Sequence, residues 1–565
     1  MAEQQDLEKN SQKPSGLKIG LGLSGGGFRA SIFHLGVILR LEELGIMPRV
    51  NVVSSVSGGS IIAAYYVIEM ERRLRAHHDA LNAGRPLTDV RVEIFHEIAA
   101  DFFRSTDHNL RSRALIFFPF YHPVATFKML RTRTNRSDVM QAEYDRWFYR
   151  KNTLDQLPSA ADERQADSGS HLKGPKLLLN TTSLLTGKRV GFSREPISGA
   201  GELSRVDKNV LPLSRIVGAS AGVPVLFPPT FVSGDMLVDG GVADNQGLEA
   251  LWEENCDVML ISDASGQMKQ IHRMPTRSFP VLSRTNAIFQ FQIRKKLIDQ
   301  LILWRDKDAN QRSFAFVHLH LNLKDRPDVE YRVPSEYIPS LAHIRTDLDQ
   351  FGFVEREVLM YHGYTLIDAQ LRKYCKKLIH ESDAGKLLKR ESGRLRVPPL
   401  FRKRAGDQDA DGLLKKREAI KKILTAGSRS SFILRSIARY RLRAVFAIAL
   451  TWAIPLVIFF MLVYGHIDRL AEKVVQEMLG PWFDCLMPNW LAWVLHHLKG
   501  YVAWPVTLKG LTVIFAFFLL GYLLIFLTYL IMRRSVRLWD LATYRSLTGD
   551  SDPGVEWSRD DEAGR

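Results

Sequence analysis

The first half of the chain alternates short apolar runs with polar or glycine-rich turns and amphipathic stretches. The apolar run over 17–23 predicts a strand, and the apolar spacing over 30–44 predicts a helix. A second, β-branched run ends at Val56 and gives way to a helical pattern from Ile61. After a long, mostly helical insert, a further strand is predicted at Leu177. The candidates for chemistry lie at the turns where these strands end.

The turn after the second run carries a candidate nucleophile, Ser57. A serine between a strand and a helix forms a nucleophile elbow where the residues two places before and after it are small. Ser55 and Gly59 occupy those places, although glycine is the more usual residue at the first. A helix that begins just after the serine directs its N-terminal N–H groups toward developing negative charge. The alternative is a serine-rich connection without chemistry, because short motifs often occur by chance.

A second serine, Ser220, lies in a formally complete Gly-x-Ser-x-Gly sequence. An elbow requires a helix directly after the serine. Here that helix is prevented by the prolines that follow, Pro224, Pro228 and Pro229. The sequence therefore predicts that Ser220 belongs to a packed loop.

The glycine-rich turn after the first strand has two interpretations. Three consecutive glycines at 25–27 leave backbone N–H groups open to an oxyanion, with no side chains in the way. The same stretch fits the Gly-x-Gly-x-x-Gly dinucleotide pattern, with Glu42 or Glu43 at the distance of its ribose-binding acid. That pattern follows a full strand, typically about five or six residues long, and only residues 17–19 precede its first glycine. An oxyanion loop is therefore the favoured interpretation.

An apolar strand ends at Asp239 and leads directly into Gly240 and Gly241. A carboxylate at a strand end can lie beside a serine and take its proton without an intervening histidine. An ordinary Asx turn is the alternative, since Asp-Gly is a common turn sequence. Asp244 and Asn245 nearby are suited to a turn or a helix cap.

Together these segments resemble the patatin-like phospholipase family. The family pattern combines a glycine-rich loop ending in a basic residue, a serine elbow, and an Asp-Gly-Gly or Asp-Gly-Ala triplet. The chain matches it with Gly25, Gly26, Gly27 and Arg29 in the loop, Ser57 and Gly59 in the elbow, and Asp239, Gly240 and Gly241 in the triplet. Two blocks, 177–193 and 217–229, resemble the family's scaffold. The resemblance covers about residues 17–266.

The resemblance implies a three-layer α/β/α catalytic domain that hydrolyses carboxylic esters of membrane lipids through a Ser–Asp dyad. Ser57 is expected to attack the acyl carbonyl, Asp239 to take its proton, and the N–H groups of 25–27 to hold the oxyanion. Arg29 is expected to belong to the oxyanion hole, where it steadies the loop or meets a lipid phosphate. No metal or organic cofactor is expected. Five further residues are expected to support the elbow and the turn: Ser55, Gly58, Gly59, Gly240 and Gly241.

Two other functions stay open. The same dyad suits a neutral-lipid lipase or an acyltransferase, because an alcohol can replace water as the acyl acceptor. Outside enzymes, the chain suits a membrane scaffold with a vestigial hydrolase fold. The presence of both Ser57 and Asp239 favours an enzyme over the scaffold.

The net charge is +16 over 565 residues, and the length indicates more than one domain. Between residues 386 and 443 there are eighteen Lys and Arg but only five Asp and Glu. Such a run attracts nucleic acid or anionic lipid, or is simply a solvated surface. The membrane segments that follow it favour anionic lipid, so no nucleic acid partner is expected. The three distant cysteines show no metal-ligand spacing and suit a reducing compartment.

Two uncharged apolar runs of 22 residues, 444–465 and 511–532, are each long enough to cross a hydrocarbon core of about 30 Å. Basic residues lie just before the first run and just after the second. By the positive-inside rule both ends are cytoplasmic, and the connection 466–510 lies on the far side. The first 15 residues lack the apolar core of a signal peptide. A cytoplasmic catalytic domain on a two-helix anchor is therefore expected.

Seven segments are predicted in all. They are a polar tail (1–15), the catalytic domain (16–380), a basic juxtamembrane segment (381–443), a membrane helix (444–465), an interfacial connection (466–510), a second membrane helix (511–532) and a polar tail (533–565).

Three other stretches of the catalytic domain have weaker patterns. The basic, aromatic stretch 111–123 suits a lid or lipid-entry surface, or an ordinary packed loop. Residues 283–303 are expected to form an amphipathic helix and 313–323 a strand. His318 and His320 would share one face of that strand, as metal ligands do, but no further ligand is evident in the sequence.

Overall fold

The structure is a computed structural model. It describes residues 17–77, 84–132, 134–157, 174–196, 210–266, 268, 276–308, 311–326, 329, 332–380, 395–402, 410–429, 435–436, 439–440, 443–444 and 504–549. Two compact units divide the chain: Met1–Ser430 with Thr543–Arg565, and Ser431–Ala542. All the described strands belong to the first unit.

The described strands are β1 (Ile19–Leu23), β2 (Val50–Val56), β3 (Lys176–Ser183), β4 (Arg189–Phe192), β5 (Thr230–Val232), β6 (Asp235–Asp239), β7 (Val258–Asp263) and β8 (Ser313–His318). The described α-helices are α1 (Gly27–Glu43), α2 (Gly58–Ala76), α3 (Leu87–Thr106), α4 (Phe118–Tyr121), α5 (Pro123–Arg131), α6 (Arg136–Tyr144), α7 (Leu213–Ser220), α8 (Leu248–Glu253), α9 (Ser278–Asp306), α10 (Ile338–Ala342), α11 (Phe353–Tyr374), α12 (Lys376–His380), α13 (Ala410–Ala426) and α14 (Trp504–Thr548).

The strands form one mixed sheet in the order β5-β6-β3-β2-β1-β7-β8, and β4 also pairs with β3. Strands β1, β2, β3, β7 and β8 are parallel. Two buried apolar clusters cover the sheet: a large one that includes α1, α2 and α11, and a smaller one that includes α8 and part of α9. Helices therefore lie on both faces, which confirms the predicted α/β fold with three layers.

The pairing of β3 brings the ends of β2 and β6 together. Residues Leu179 and Asn180 pair with both β2 and β4, while Thr181 and Thr182 pair with both β4 and β6. A strand has only two edges, so β2 and β6 share the edge opposite β4. Strand β2 runs parallel to β3 and β6 runs antiparallel, so their carboxyl ends meet. Ser57 follows one of these ends and Asp239 forms the other.

The prediction for Ser220 is wrong in its local structure. Ser220 is the last residue of helix α7, not part of a loop, and it is fully buried. The prolines at 224, 228 and 229 prevent a helix after the serine, but they do not affect one that ends before them. The elbow test for Ser220 still fails, because no helix follows it.

The predicted histidine pair is also wrong. Strand β8 ends at His318, whereas the sequence pattern extends the strand to 323. His320 therefore lies beyond the strand, where its ring packs edge-on against His343, 5.7 Å away. Among the described residues there is no group of three or more potential metal ligands.

The apolar C-terminal run lies within α14, which begins at Trp504 and continues to Thr548. Part of this helix, Leu519–Thr548, is long and apolar enough to cross a membrane, and it is the one such helix in the described part of the chain. The run 444–465 lies outside the described residues except for Ala444, and so does the connection from 466 to 503.

The first unit extends past the predicted boundary at 380. Helix α13 falls within the predicted juxtamembrane segment, yet Ile420, Ile423 and Leu424 are buried in the large cluster. Apolar positions at this spacing share one helix face, so the basic residues between them point away from the core. Part of the basic segment therefore belongs to the folded catalytic unit.

Candidate active site

Ser57 adopts the strained backbone of an elbow, with φ 50° and ψ −118°. A positive φ is uncommon for a residue with a side chain, and such strain clusters at functional sites. The two residues after Ser57 are glycines because the backbone of neighbouring segments approaches them closely. A Cβ on Gly58 would lie 2.1 Å from the Gly27 carbonyl oxygen, and one on Gly59 would lie 2.3 Å from that of Leu23. Neither position has room for a side chain.

Three buried polar side chains hold the elbow from behind. The Ser57 backbone N–H donates to Ser220 Oγ at 3.0 Å, and Ser220 Oγ donates to the Asn180 carbonyl at 2.6 Å. Ser60 Oγ lies 2.9 Å from the same Ser220 oxygen. Asn180 Nδ2 in turn donates to the Ser55 carbonyl at 3.0 Å. Ser220, the rejected nucleophile, thus belongs to the frame that positions Ser57.

Ser55 fits the first elbow position because its hydroxyl has a partner. It is fully buried in β2, and its Oγ donates to the Leu178 carbonyl on β3 at 3.1 Å. A buried hydroxyl with a hydrogen bond costs little, so serine is tolerated where the family pattern has glycine.

The Asp239 carboxylate meets Ser57 where the two strand ends converge. Its Oδ1 accepts the Gly241 backbone N–H at 2.7 Å, and the Ser57 hydroxyl lies near enough to influence the pKa of the carboxyl group. The Asx turn and the Ser–Asp contact therefore occur together, and the turn fixes the direction of the carboxylate. Burial raises the pKa of Asp239 to about 6, although the Gly241 N–H and the Ser57 hydroxyl oppose the rise. The group is still mostly ionised at pH 7 and can accept a proton.

The glycine loop lies against the serine, with one donor already in use. A Cβ on Gly25 would lie 3.0 Å from Ser57 Cβ, and the Gly25 N–H donates to the Asn245 carbonyl at 3.1 Å. Gly25 is therefore not a free oxyanion donor, in contrast to the prediction. Gly26 and Gly27 have φ values of 145° and 58°, and their amides have no acceptor among the described residues. These two amides are the donors that the loop leaves for an oxyanion.

The prediction that Arg29 belongs to the oxyanion hole or meets a lipid phosphate is wrong. Its side chain is 2% exposed and points into the protein, toward backbone carbonyls. The guanidinium donates to the Ile344 carbonyl at 2.6 Å and to the Ala264 carbonyl at 3.0 Å. Burial lowers the pKa of Arg29 to about 10, and the Asp263 carboxylate opposes the decrease. Arg29 instead steadies the loop, which was the other expectation.

The dinucleotide interpretation does not fit the structure. Gly20 and Gly22 lie inside β1, where they let α8 pack closely. A Cβ on Gly20 would lie 2.9 Å from Leu251 Cδ2. Glu42 is fully buried and pairs with Arg91, so it is not open to a ribose.

The stretch 111–123 is packed, and its arginines are engaged inside the protein. Arg111 pairs with Asp347 and Asp349, and Arg113 pairs with Glu143. The stretch contains a π-helical turn over Ser112–Ile116 and the short helix α4. This favours the packed-segment interpretation over an open basic surface.

Sequence reasoning missed three residues near the site. Asn180 bridges β2 and β3, and Asn245 supplies the acceptor for Gly25. Tyr144 is fully buried, and its hydroxyl makes no hydrogen bond within the described chain. Burial and the nearby Asp239 carboxylate both raise the pKa of Tyr144. The one available signal was Asn180, an amide that directly follows three consecutive leucines in a predicted strand.

Residues 21–252 match the model of the family described as patatin-like phospholipase. This range holds the glycine loop, the serine elbow and Asp239. The chain contains a patatin-like phospholipase domain. Domains of this family are lipid acyl hydrolases, so the protein is a carboxylic ester hydrolase.

Similar solved structures include VipD from Legionella pneumophila, which is 15% identical. The similarity covers 75% of this chain and 83% of VipD, with a TM-score of 0.25. Human GIVD cytosolic phospholipase A2, in complex with a methyl gamma-linolenyl fluorophosphonate inhibitor, is 16% identical. Here 45% of this chain and 43% of that chain are covered, with a TM-score of 0.29. Likeness this low does not transfer a function, and no curated protein matches the chain.

Proposed function

We propose that the protein is a membrane-anchored phospholipase A or lysophospholipase in which Ser57 and Asp239 form the catalytic dyad. The observation that carries this proposal is that the Ser57 elbow, with φ 50°, and the buried Asp239 carboxylate meet at the converging ends of β2 and β6. The patatin-like domain supplies the lipid substrate class.

In the proposed reaction, Ser57 Oγ attacks the acyl carbonyl while Asp239 takes its proton. The amides of Gly26 and Gly27 stabilise the tetrahedral oxyanion, and each such donor is typically worth about 3–4 kcal/mol. Protonated Asp239 then gives the proton to the departing alcohol, leaving an acyl-enzyme. Asp239 next takes a proton from the water that attacks the acyl-enzyme ester, and returns it to Ser57 Oγ as the fatty acid leaves.

Product analysis tests this function. The full chain in mixed micelles with a diacyl phospholipid should release free fatty acid and the matching lysophospholipid in equal amounts. Adding excess glycerol distinguishes acyl transfer, which would yield glyceryl esters in place of free fatty acid. Absence of both products with phospholipid, lysophospholipid and triacylglycerol would contradict the proposal.

We also propose that α14 and the run 444–465 anchor the protein, with the catalytic unit and the C-terminus in the cytoplasm. The support is the apolar stretch of α14 and the basic residues outside both runs, Arg439, Arg441 and Arg443 before the first and Arg533 and Arg534 after the second. In sealed vesicles with the cytoplasmic side outward, protease should digest the catalytic unit and spare residues 466–503. A protected catalytic unit would mean that the orientation is reversed, and a fully digested chain would mean that it does not span.

A further inference from the structure

Helix α9 is longer than the part of the sheet that it accompanies. Its 29 residues extend about 43 Å, whereas β7 and β8, which it connects, have six residues each and extend about 20 Å. Among the residues of the helix whose burial is described, the buried ones are Leu297 and Leu301, which belong to the same apolar cluster as Met259 and Ile261 of β7. Only the second half of α9 therefore packs on the sheet.

Arg294 shows which end of the helix extends past the sheet. Its Nε lies 2.6 Å from Asp263 Oδ2, and Asp263 is the last residue of β7. Strands β7, β1 and β2 are parallel, so this carboxyl end lies at the same sheet edge as Ser57. Residues 278–293 precede Arg294 and continue for about 24 Å on that side.

The extending half exposes large apolar side chains. Leu282 and Phe289 are 63% and 62% exposed. Among the residues of 278–296 whose burial is described, none is buried. Leu282, Phe289 and Ile293 are seven and four residues apart, so they lie along one stripe of the helix. Other exposed apolar residues described in this half are Val281, Ile288 and Phe291.

The charge around this stripe indicates the kind of partner. No Asp or Glu occurs between Asp263 and Asp299, whereas seven Lys and Arg do. Of these, Arg277, Lys295 and Lys296 are exposed on α9 or at its start. Exposed apolar residues with basic neighbours and no acidic ones characterise helices that lie in the interface of an anionic bilayer.

We propose that residues 278–296 of α9 are a docking helix. It inserts the stripe of Leu282, Phe289 and Ile293 into the surface of an anionic phospholipid bilayer and holds the Ser57 edge of the sheet against that surface. This goes beyond the proposed function, because the docking needs neither the dyad nor a transmembrane helix.

Lipid-depth fluorescence on the full chain tests the proposal. An environment-sensitive fluorophore is attached to Leu282→Cys, Phe289→Cys or Leu303→Cys, and the chain is reconstituted in nanodiscs of phosphatidylcholine with phosphatidylserine. Leu303 is the matched control, because it is also 63% exposed and lies at the opposite end of α9. Wild type, labelled in parallel, corrects for the native cysteines. At 282 and 289 the emission should shift to the blue and be quenched by nitroxides on the lipid acyl chains; at 303 neither should occur.

Several outcomes would overturn the docking helix. If 282 and 289 stay as exposed to water as 303, the helix does not dock. If they are shielded but not quenched by lipid, another segment or a second copy of the chain covers the stripe. If quenching is equal in pure phosphatidylcholine, the anionic partner is wrong. The same quenching on a Ser57→Ala background would support docking even if the proposed catalysis fails.

A kinetic measurement complements the depth measurement. Leu282→Gln with Phe289→Gln should lower hydrolysis of a nanodisc phospholipid about tenfold and leave hydrolysis of a soluble short-chain ester unchanged. Leu303→Gln should leave both rates unchanged. Equal loss on both substrates would indicate damage to the fold and would contradict the docking role.

Discussion

Replacing Ser57 by Ala or Asp239 by Asn should each lower ester hydrolysis by about 10⁴-fold or more, with the protein still folded. Ser57→Ala removes the attacking oxygen, and Asp239→Asn removes the base that accepts its proton. Because the two residues act as a unit, the double variant should be little slower than either single one. Hydrolysis of a short-chain chromogenic ester measures the rates, and circular dichroism measures the fold. Covalent labelling by a fluorophosphonate should be lost in Ser57→Ala.

Two controls make this test specific. Asp235→Asn is matched to Asp239→Asn, because both carboxylates lie in β6 and are 8% and 7% exposed. Asp235 instead accepts the Ser183 hydroxyl at 2.8 Å, so its replacement should leave the rate within a few fold. Ser220→Ala should slow the reaction without abolishing labelling, because it removes hydrogen bonds that hold the elbow but leaves the Ser57 hydroxyl in place. Labelling that persists in Ser57→Ala but is lost in Ser220→Ala would show that Ser220 is the nucleophile.

The raised pKa of Asp239 sets the pH dependence of the same reaction. The base acts when ionised, so kcat/KM should rise tenfold per pH unit below about 6 and level off above it. The residual activity of Asp239→Asn should not show this rise in kcat/KM below pH 6. Loss of the rise would assign it to Asp239 and not to another titrating group. A plateau that extends unchanged to pH 4 would contradict the role of Asp239 as base.

The sequence was informative where chemistry depends on tight backbone contacts. The chain has glycine at 58 and 59 because the carbonyl oxygens of Gly27 and Leu23 leave no room for a side chain there. This requirement shows in the sequence as a Gly-Gly pair after Ser57. The apolar runs likewise predicted β1, β2, β3, β6 and β8, which the sheet confirms, but they did not predict β7. The meeting of β2 and β6 was not predictable, because it depends on which residues of β3 pair with each strand.

The sequence did not predict which way side chains point or which partners distant backbone groups bind. Arg29 matches the family pattern, but its position in the sequence does not show whether it faces the site or the interior. Gly25 was predicted as a donor because its backbone is unobstructed, yet the partner of its N–H, the Asn245 carbonyl, is 220 residues away in the sequence. Tertiary contacts of this kind leave no local signal, and the same holds for the burial of Leu424 in the basic segment.

Replacing Arg29 by Gln should lower kcat by about 10²-fold and reduce the free energy of unfolding by about 2–5 kcal/mol. The stability loss follows because the Ile344 and Ala264 carbonyls lose their buried donor. The kcat loss follows because the Ala264 carbonyl also borders Gly26, where a Cβ would lie 2.7 Å from it. A loop that shifts by even 1 Å misplaces the oxyanion donors. KM should change little, since Arg29 does not reach a substrate.

Arg40→Gln is the matched control for Arg29→Gln. Both arginines are buried in α1, but Arg40 pairs with Asp368 and Glu43, near the other end of the helix. Its replacement should destabilise the fold by a similar amount and leave the kcat of the folded fraction unchanged. Chemical denaturation gives the free energies, and active-site titration with a fluorophosphonate corrects each kcat for the folded fraction. An Arg29→Gln variant that lost affinity for phospholipid at constant kcat would mean that the guanidinium meets the lipid phosphate after all.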